Sequence, residues 1–512
     1  MNSQNNSGQK ILSLEDLAGI VQKLKAENHI VVHCHGVFDL IHPGHIRHFE
    51  EAKREGDILI VTVTPDRFVN KGPGRPVFNE SLRAEALAAL QVVDYVTINN
   101  WPTAEETIRK LRPDVYVKGS EYARLENDLT GKIYNEEEAI LSVGGRIHFT
   151  DDITFSSTKL LNTYFNILPP EAERYLLEFR QSYNKDDIIN RLKALHSMRV
   201  LVIGDAIIDE YCFCKVLGKS SKSNSLNARF LHAEAWAGGA LAIANHIAGF
   251  CDLVHLVSCI GQTDPRLEFI TSHLKPNIST KFFTRPDGPT TIKRRYVEFI
   301  LYHKMFEATF IEDRPLPADV AANLNSYLAA IASEYDLVVV GDFGHGLIGQ
   351  DTVDVLCSKA KFLAVNAQTN SVNAGYNPIT KYPRADYVCV DQDEIQLAYH
   401  DRFGPLDLLI KRAAEQLSAS ILTVTQGQYG STTYRRNAEL VWTPAFSKEV
   451  VDSLGAGDAY LSVTAPCAAA GYPPKVIGFI GNAVGTLAIQ ILGNRESVEP
   501  VPLFKFIDTL LK

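Results

Sequence analysis

Apolar residues along the chain gather into short runs separated by stretches of helical period, and they do so in two blocks. The first block opens with His29-Ile30-Val31-Val32-His33. It continues through Asp57-Ile58-Leu59-Ile60-Val61-Thr62-Val63, Val92-Val93-Asp94-Tyr95-Val96-Thr97-Ile98 and Asp114-Val115-Tyr116-Val117-Lys118. Helical spacing fills the gaps at 46–55, 81–90 and 104–111. Such alternation predicts βαβ units on a parallel sheet. The block closes near Asn166, ahead of Pro169-Pro170.

Residues 171–196 are charged and helical in pattern, which predicts a connecting helix. The second block starts with Arg199-Val200-Leu201-Val202-Ile203-Gly204-Asp205 and later shows Leu337-Val338-Val339-Val340-Gly341-Asp342 and Ile421-Leu422-Thr423-Val424-Thr425. The chain thus divides into a tail and lead-in helix (1–27), an α/β domain (28–166), a linker helix (167–196) and a larger α/β domain (197–512). The last of these, roughly 315 residues, suits one large α/β unit.

Composition narrows the classes. Of the 512 residues, 46% are hydrophobic and 22% charged, an ordinary globular balance. The formal net charge of −9 gives no support to a protein that grips nucleic acid. No run approaches the ~20 apolar residues of a membrane span, and the polar stretch from Met1 to Lys10 does not read as a secretory signal. A soluble cytoplasmic protein is expected. The eight cysteines are scattered, mostly within apolar runs, and Cys212/Cys214 has no second pair to complete a zinc site. A reducing compartment fits them.

The densest chemical signal is His35-Gly36-Val37-Phe38-Asp39-Leu40-Ile41-His42-Pro43-Gly44-His45, directly after the first strand. Pro43 suits a first helical turn, where its missing N–H is no loss. His42 and His45, three apart, fall on one face of that turn. Their nitrogens, the free backbone N–H groups and the helix dipole would converge on one anion, a polyphosphate by preference. Two blander readings compete: a metal cluster, since five of the fifteen histidines lie between 33 and 48, and coincidental surface histidines.

Downstream, the sharpest motif is Asp452-Ser453-Leu454-Gly455-Ala456-Gly457-Asp458. Its glycines let successive N–H groups form an anion-binding nest at a helix start. Asp458 beside that nest is placed to take a proton from a hydroxyl attacking a phosphoryl group. The plain alternative is a Gly-rich helix entry with Asp458 as an N-terminal charge.

The first block resembles the nucleotidyltransferase superfamily typified by cytidylyltransferases, and within it the adenylyltransferase half of bifunctional heptose kinase/adenylyltransferases. Lys71-Gly72-Pro73-Gly74-Arg75-Pro76-Val77 looks like that family's lysine loop, with Arg83 on the helix that follows. Pro113-Asp114-Val115-Tyr116-Val117-Lys118-Gly119 is similar to its strand near the sugar phosphate. Ser156-Ser157-Thr158 resembles its nucleotide-contacting segment. The resemblance implies a Rossmann-like domain with His42, His45 and Lys71 as catalytic donors. It implies nucleotide contacts from Gly36, Phe38, Asp39, Arg83, Ser156, Ser157 and Thr158, and sugar-phosphate contacts from Lys118 and Gly119. One departure is Cys34-His35, where relatives carry Thr-Asn or Ser-Asn.

The second block resembles the ribokinase-like sugar kinases, an αβα fold with a small β lid, through Gly204-Asp205-Ala206-Ile207-Ile208-Asp209, Gly238-Gly239-Ala240, Asp342-Phe343-Gly344-His345-Gly346 and Thr425-Gln426-Gly427-Gln428-Tyr429-Gly430. Thr290-Thr291-Ile292-Lys293-Arg294-Arg295-Tyr296 looks like a lid strand. The resemblance implies Asp458 as base and nucleotide contacts from Thr425, Gly427, Gly430, Gly455, Ala456, Gly457 and Asn482. Sugar contacts would come from Asp205, Asp209, Gly238, Gly239, Arg295 and Asp342, with Glu394 toward the metal. Relatives carry Asn at Ala242, Lys at His345, Asp-Pro-Lys at Asn366-Ala367-Gln368 and Asn at Asp391. Pro466 lies inside the helix that Asp458 opens, where a kink is expected.

The expected protein is therefore an α/β chain of two domains using Mg²⁺ and ATP. One lobe phosphorylates the anomeric hydroxyl of a heptose or heptose phosphate; the other transfers a nucleotidyl group, by preference adenylyl, to the sugar 1-phosphate. The halves stand in the reverse of the familiar order, and a homodimer through the kinase lid is expected, with no nucleic-acid or membrane partner. Two other readings stay open: CTP with a polyol phosphate at the first domain, and a kinase-like lobe that is a binding or dimerising scaffold.

Overall fold

The structure, a computed structural model, describes residues 9–69, 72–119, 132–150, 168–438 and 440–512. It divides into two compact units, residues 1–168 with 504–512, and residues 169–503.

The first unit is built on a five-stranded parallel sheet of β1 (Val31–Gly36), β2 (Ile58–Val63), β3 (Tyr95–Ile98), β4 (Val115–Gly119) and β5 (Arg146–Thr150), in the order β3-β2-β1-β4-β5. Helices Pro43–Arg54, Glu80–Ala88, Glu105–Leu111 and Lys132–Ser142 make the crossovers. Both sheet faces are covered, so β1 is apolar on each side. Val32 and Cys34 pack with Phe49, Leu59 and Val61, while Val31 packs with Leu14, Leu17 and Ile60. The strand order reverses between β1 and β4, so a crevice opens beyond their carboxyl ends, where open α/β sheets take ligands. The histidine motif leaves β1 at that point.

The expected single linker helix is two. Pro170–Phe179 ends before Asn184, which starts Lys185–Lys193 with a reciprocal capping box to Asp187. A cap inside a charged run restarts a helix that periodicity alone would have drawn through.

The second unit carries a nine-stranded sheet, β10-β9-β6-β13-β14-β15-β16-β17-β18. Its strands are β6 (Arg199–Gly204), β9 (Leu253–Gly261), β10 (Ile278–Arg285), β13 (Leu337–Asp342), β14 (Leu363–Ala367), β15 (Tyr387–Asp391), β16 (Ile421–Thr425), β17 (Ser431–Arg435) and β18 (Leu440–Thr443). All pair in parallel except β17 and β18. Leu201, Ile203, Val338, Val340, Val365, Val388 and Leu422 share one buried core. The helix Ala456–Ala469 runs through Pro466, which cannot return an N–H to the carbonyl one turn earlier.

A separate four-stranded sheet, β12-β11-β7-β8, forms the lid: β7 (Ala206–Lys219), β8 (Leu226–Gly239), β11 (Thr291–Glu298) and β12 (Lys304–Phe310). Asp205 alone separates β6 from β7, so the lid grows directly out of the main sheet. The pairing sets Lys293 beside Asp209 and Arg295 beside Tyr211 and Glu307.

Candidate active sites

In the first unit, His42 is the N-cap of the helix Pro43–Arg54. Its extended backbone lets the ring Nδ1 accept the Gly44 N–H at 3.1 Å. That bond places the proton of the neutral ring on Nε2 and leaves Nε2–H as a donor. Burial lowers the His42 pKa, so the ring is neutral at pH 7. The rings of His42 and His45 stack at 4.0 Å between centroids, which brings the two expected donors to one spot. Phe38 supports them from behind, edge-on to His45 at 5.4 Å and against Phe49 at 5.2 Å.

Two expected nucleotide contacts are used elsewhere. Asp39 is buried, with one carboxylate oxygen accepting the N–H groups of Val77 (2.7 Å) and Phe78 (3.2 Å) and the other the Arg75 guanidinium (3.2 Å). It fastens the loop ahead of the helix Glu80–Ala88. Arg83 is also buried and donates to the carbonyls of Phe78 (2.9 Å), Thr64 (2.9 Å) and Val37, and to Asp66. Both are thus held by protein partners.

The Cys34-His35 departure is absorbed within the sheet. His35 Nδ1 lies 2.7 Å from the Thr62 hydroxyl and Nε2 3.2 Å from that of Thr64, while Cys34 is core. Gly36, at the end of β1, leaves room for the Phe38 ring, which an added Cβ would meet at 2.8 Å. At the end of β4, Lys118 pairs with Glu136 at 2.9 Å and is followed by buried Gly119. Lys71, Ser156, Ser157 and Thr158 lie outside the described residues.

In the second unit a cavity of about 470 Å³ brings most of the expected residues together. Thr425, Gly427, Gly430 and Asn482 line one part; Gly455, Ala456, Gly457 and Asp458 the middle; Asp209, Gly239 and Arg295 the lid side. Gly455 is left-handed (φ 77°), and an added Cβ would come within 2.3 Å of Asn494 Oδ1, so only glycine fits this helix start. Gly238 is similarly constrained, since a Cβ there would meet the Asp209 carboxylate at 2.1 Å.

Asp458 is buried, and its pKa is pushed up to about 7 by that burial and by the nearby Asp209 carboxylate. The Gln368 side-chain amide donates to its Oδ1 at 2.7 Å. Asp209 is held by Arg295 and by the Asn494 amide at 2.8 Å, and Arg295 also pairs with Glu307 at 2.8 Å. Asp205 and Asp342 stand at the carboxyl end of β6 and β13. Burial, then the Asp342 charge, raises the Asp205 pKa to about 7, and it accepts the N–H groups of Phe343 and His345. Asp342 is held by Tyr382, Lys381 and Asn377. Glu394 spends its two oxygens on the N–H groups of Thr369 (3.0 Å) and Asp391 (2.8 Å), capping its own helix. Among the described residues no trio of His, Cys, Asp or Glu converges on a metal. Magnesium, if carried by nucleotide phosphates, would need only one or two carboxylates here.

Sequence reading missed Asn494 and Lys304, and it named Lys293 and Gln368 without giving either a role in the site. Lys293 is nine-tenths buried and lines the cavity. Lys304 pairs with Asp452 at 2.7 Å, and the Tyr211 hydroxyl donates to the same carboxylate at 2.7 Å, tying two lid strands to the nest motif. No local pattern gives these residues their roles, because their partners lie far along the chain.

The fold and the two sites define a class: a Rossmann-like nucleotidyltransferase-like domain fused to a ribokinase-like carbohydrate kinase domain. Residues 33–162 match the cytidylyltransferase-like family, and residues 197–500 match the pfkB family of carbohydrate kinases. The chain belongs to the pfkB carbohydrate kinase family. Among curated proteins it is 38% identical over 153 residues to the bifunctional protein HldE of Gluconobacter oxydans, covering 30% of each chain. To that of Geobacter metallireducens it is 36% identical over 166 residues, covering 31% of this chain and 32% of the relative. Each alignment thus spans about a third of these relatives' length. Among solved structures, phosphofructokinase-2 of Escherichia coli in complex with potassium superposes with a TM-score of 0.50 at 14% identity, over 62% of this chain and all of that one. Its complex with substrates and products gives 0.50 at 13% identity. These likenesses define the fold of the second unit.

Proposed function

We propose that the chain is a bifunctional enzyme of activated-sugar synthesis. The second unit transfers the γ-phosphoryl group of magnesium ATP to the anomeric hydroxyl of a heptose or heptose phosphate. Asp458 takes the hydroxyl proton, and the Gly455-Ala456-Gly457 nest holds the anion that forms. In the first unit, an oxygen of the sugar 1-phosphate attacks the α-phosphorus of a second ATP, and pyrophosphate leaves. His42 and His45 donate to the charge that develops, with no covalent enzyme intermediate. The observation that carries the reading is the presence, in one chain, of a stacked histidine pair at one phosphate-directed helix start and a buried carboxylate at another. The similarity to bifunctional HldE proteins supports it.

The test is direct. Purified protein with magnesium, heptose 1-phosphate and each of four nucleoside triphosphates releases pyrophosphate fastest with ATP. Turnover with CTP alone overturns the adenylyl assignment. ADP formation from ATP with heptose and heptose 7-phosphate tests the kinase half, and a scaffold lobe makes none.

The lid supports a dimer of two such chains. Leu217, Leu226, Phe230, Ile300, Leu301 and Phe306 are each more than half exposed on its strands and turns, a concentration of apolar surface that marks an interface. Ile300→Lys with Phe230→Lys is expected to halve the mass measured by light scattering, and an unchanged mass counts against the lid as the interface.

A further inference from the structure

Asn366-Ala367-Gln368 stands where related kinases carry Asp-Pro-Lys, and on sequence alone it reads as lost chemistry. The structure places it differently. β14 ends at Ala367, so Gln368 leaves the carboxyl end of the sheet and enters the cavity. Its side-chain amide donates to Asp458 Oδ1 at 2.7 Å. Its backbone is fixed as well: Gln368 N–H donates to the Asp342 carbonyl at 2.8 Å, and its own carbonyl accepts the Asn373 amide at 2.8 Å. The donor is thus mounted on a rigid support next to the carboxylate.

Resting on the kinase reading above, we propose that Gln368 is the positioning residue of Asp458. It occupies Oδ1, fixes the plane of the carboxylate and leaves Oδ2 as the oxygen that receives the proton of the attacking hydroxyl. A carboxylate without that bond rotates about its last torsion and meets the hydroxyl in fewer productive orientations. A neutral amide also suits this setting in a way an ammonium would not. The charged groups facing Asp458 are Asp209 from β7, Glu394 from the helix after β15, and Lys293 from β11. With Lys293 already there, a second ammonium would hold the carboxylate ionised and weaken it as a proton acceptor; the amide orients it without adding charge. The departure is then a change in how the base is held.

The experiment measures ADP formation by the full chain with ATP, magnesium and heptose 7-phosphate. Gln368→Ala is expected to lower kcat by about ten- to a hundredfold with KM for both substrates nearly unchanged. Gln368→Lys returns a donor and recovers much of kcat, while moving the acid limb of the pH–rate profile to lower pH, because an added positive charge favours the ionised carboxylate. Gln368→Glu, the same shape with no donor and a like charge, moves the limb to higher pH. Circular dichroism and the melting temperature check each fold, and if Gln368→Ala does not fold, the Lys and Glu variants decide by their opposite shifts. Wild-type turnover with kcat unaltered in Gln368→Ala, or with the same acid limb in the Lys and Glu variants, overturns this inference and leaves the kinase reading standing. A wild-type protein that makes no ADP overturns both.

Discussion

On the proposed reading the two units meet the same demand, a phosphate held at a helix start above a parallel sheet, with opposite materials. In the first, two imidazoles stack at the opening, and the nearby carboxylate, Asp39, is turned away to fasten a loop. In the second, backbone N–H groups at Gly455 to Gly457 would do the holding, and the carboxylate of Asp458 lies in the first turn of the same helix. In the proposed reactions the difference follows from the nucleophile. A sugar phosphate oxygen is already ionised near neutral pH, since its second pKa is about 6, and it needs donors on the α-phosphate but no base. A sugar hydroxyl must lose a proton as it attacks, and so the site must keep an acceptor.

That contrast is easiest to break at Asp458. Asp458→Asn preserves shape and removes only the acceptor, and ADP formation is expected to fall by about 10²–10⁴-fold. Pyrophosphate release from supplied sugar 1-phosphate should continue unchanged in the same preparation. Undiminished ADP formation would mean that the carboxylate only shapes the helix start. The mirror experiment is His45→Ala, expected to lower pyrophosphate release by about 10²–10³-fold, the scale of one transition-state donor, while ADP formation persists. His42→Ala should do the same and in addition cost about 0.5–2 kcal/mol of stability, because His42 also caps its helix through Gly44. Calorimetry separates the two variants; near-normal turnover in either would make the histidine pair structural.

Much of this was legible in the sequence, for a physical reason. Parallel strands buried on both faces must be continuous apolar runs, so β1, β2, β4, β6, β13 and β16 stand out, and phosphate-binding turns need particular residues at short spacing. What was not legible is whatever depends on distant parts of the chain. Arg83 looked like a nucleotide contact because it opens the right helix, yet the carbonyls of Val37, Thr64 and Phe78 take its donors. Asp209 and Asn494 meet across 285 positions, a distance no periodicity reports. Gln368 was visible as a departure, but only the fold places its amide on Asp458.

A milder way to sharpen the comparison is pH. Asp458 is raised to about 7 by burial and by Asp209, and a base acts only when ionised. ADP formation should therefore decline about tenfold per pH unit below 7. His42 donates as a neutral ring in the proposed reaction, and burial lowers its pKa, so it needs no proton from solution near neutrality. Pyrophosphate release should accordingly hold level from pH 8 to about 6.5. Rate profiles for the two half-reactions, measured on one protein sample, should separate below neutrality; parallel decline would show that one ionisation governs both.

The smallest effect concerns stability, and it contrasts the two units once more. Burial lowers His33 to about 3 and His48 to about 4, against about 6.5 in an unfolded chain. Between those values the unfolded state binds protons that the folded state refuses. The stability of the first unit is therefore full above about pH 6.5 and falls as the pH drops toward 4, by at most about 1.4 kcal/mol per unit for each histidine. In the second unit Asp205, Glu394 and Asp458 are raised to about 7, chiefly by burial. The folded state there binds the extra protons, so these groups contribute stability at low pH that is lost as the pH rises through 7. His246 and His345, lowered to about 3, work in the opposite sense and offset them in part. Acidification from pH 7 to 5 should thus move the melting transition of the first unit down while that of the second does not fall. His48→Asn, which can keep a hydrogen bond to Thr150 without a proton to refuse, should flatten the first unit's slope and identify its transition. Equal displacement of both transitions in calorimetric scans at the two pH values would mean that the buried histidines do not set the acid sensitivity of the first unit.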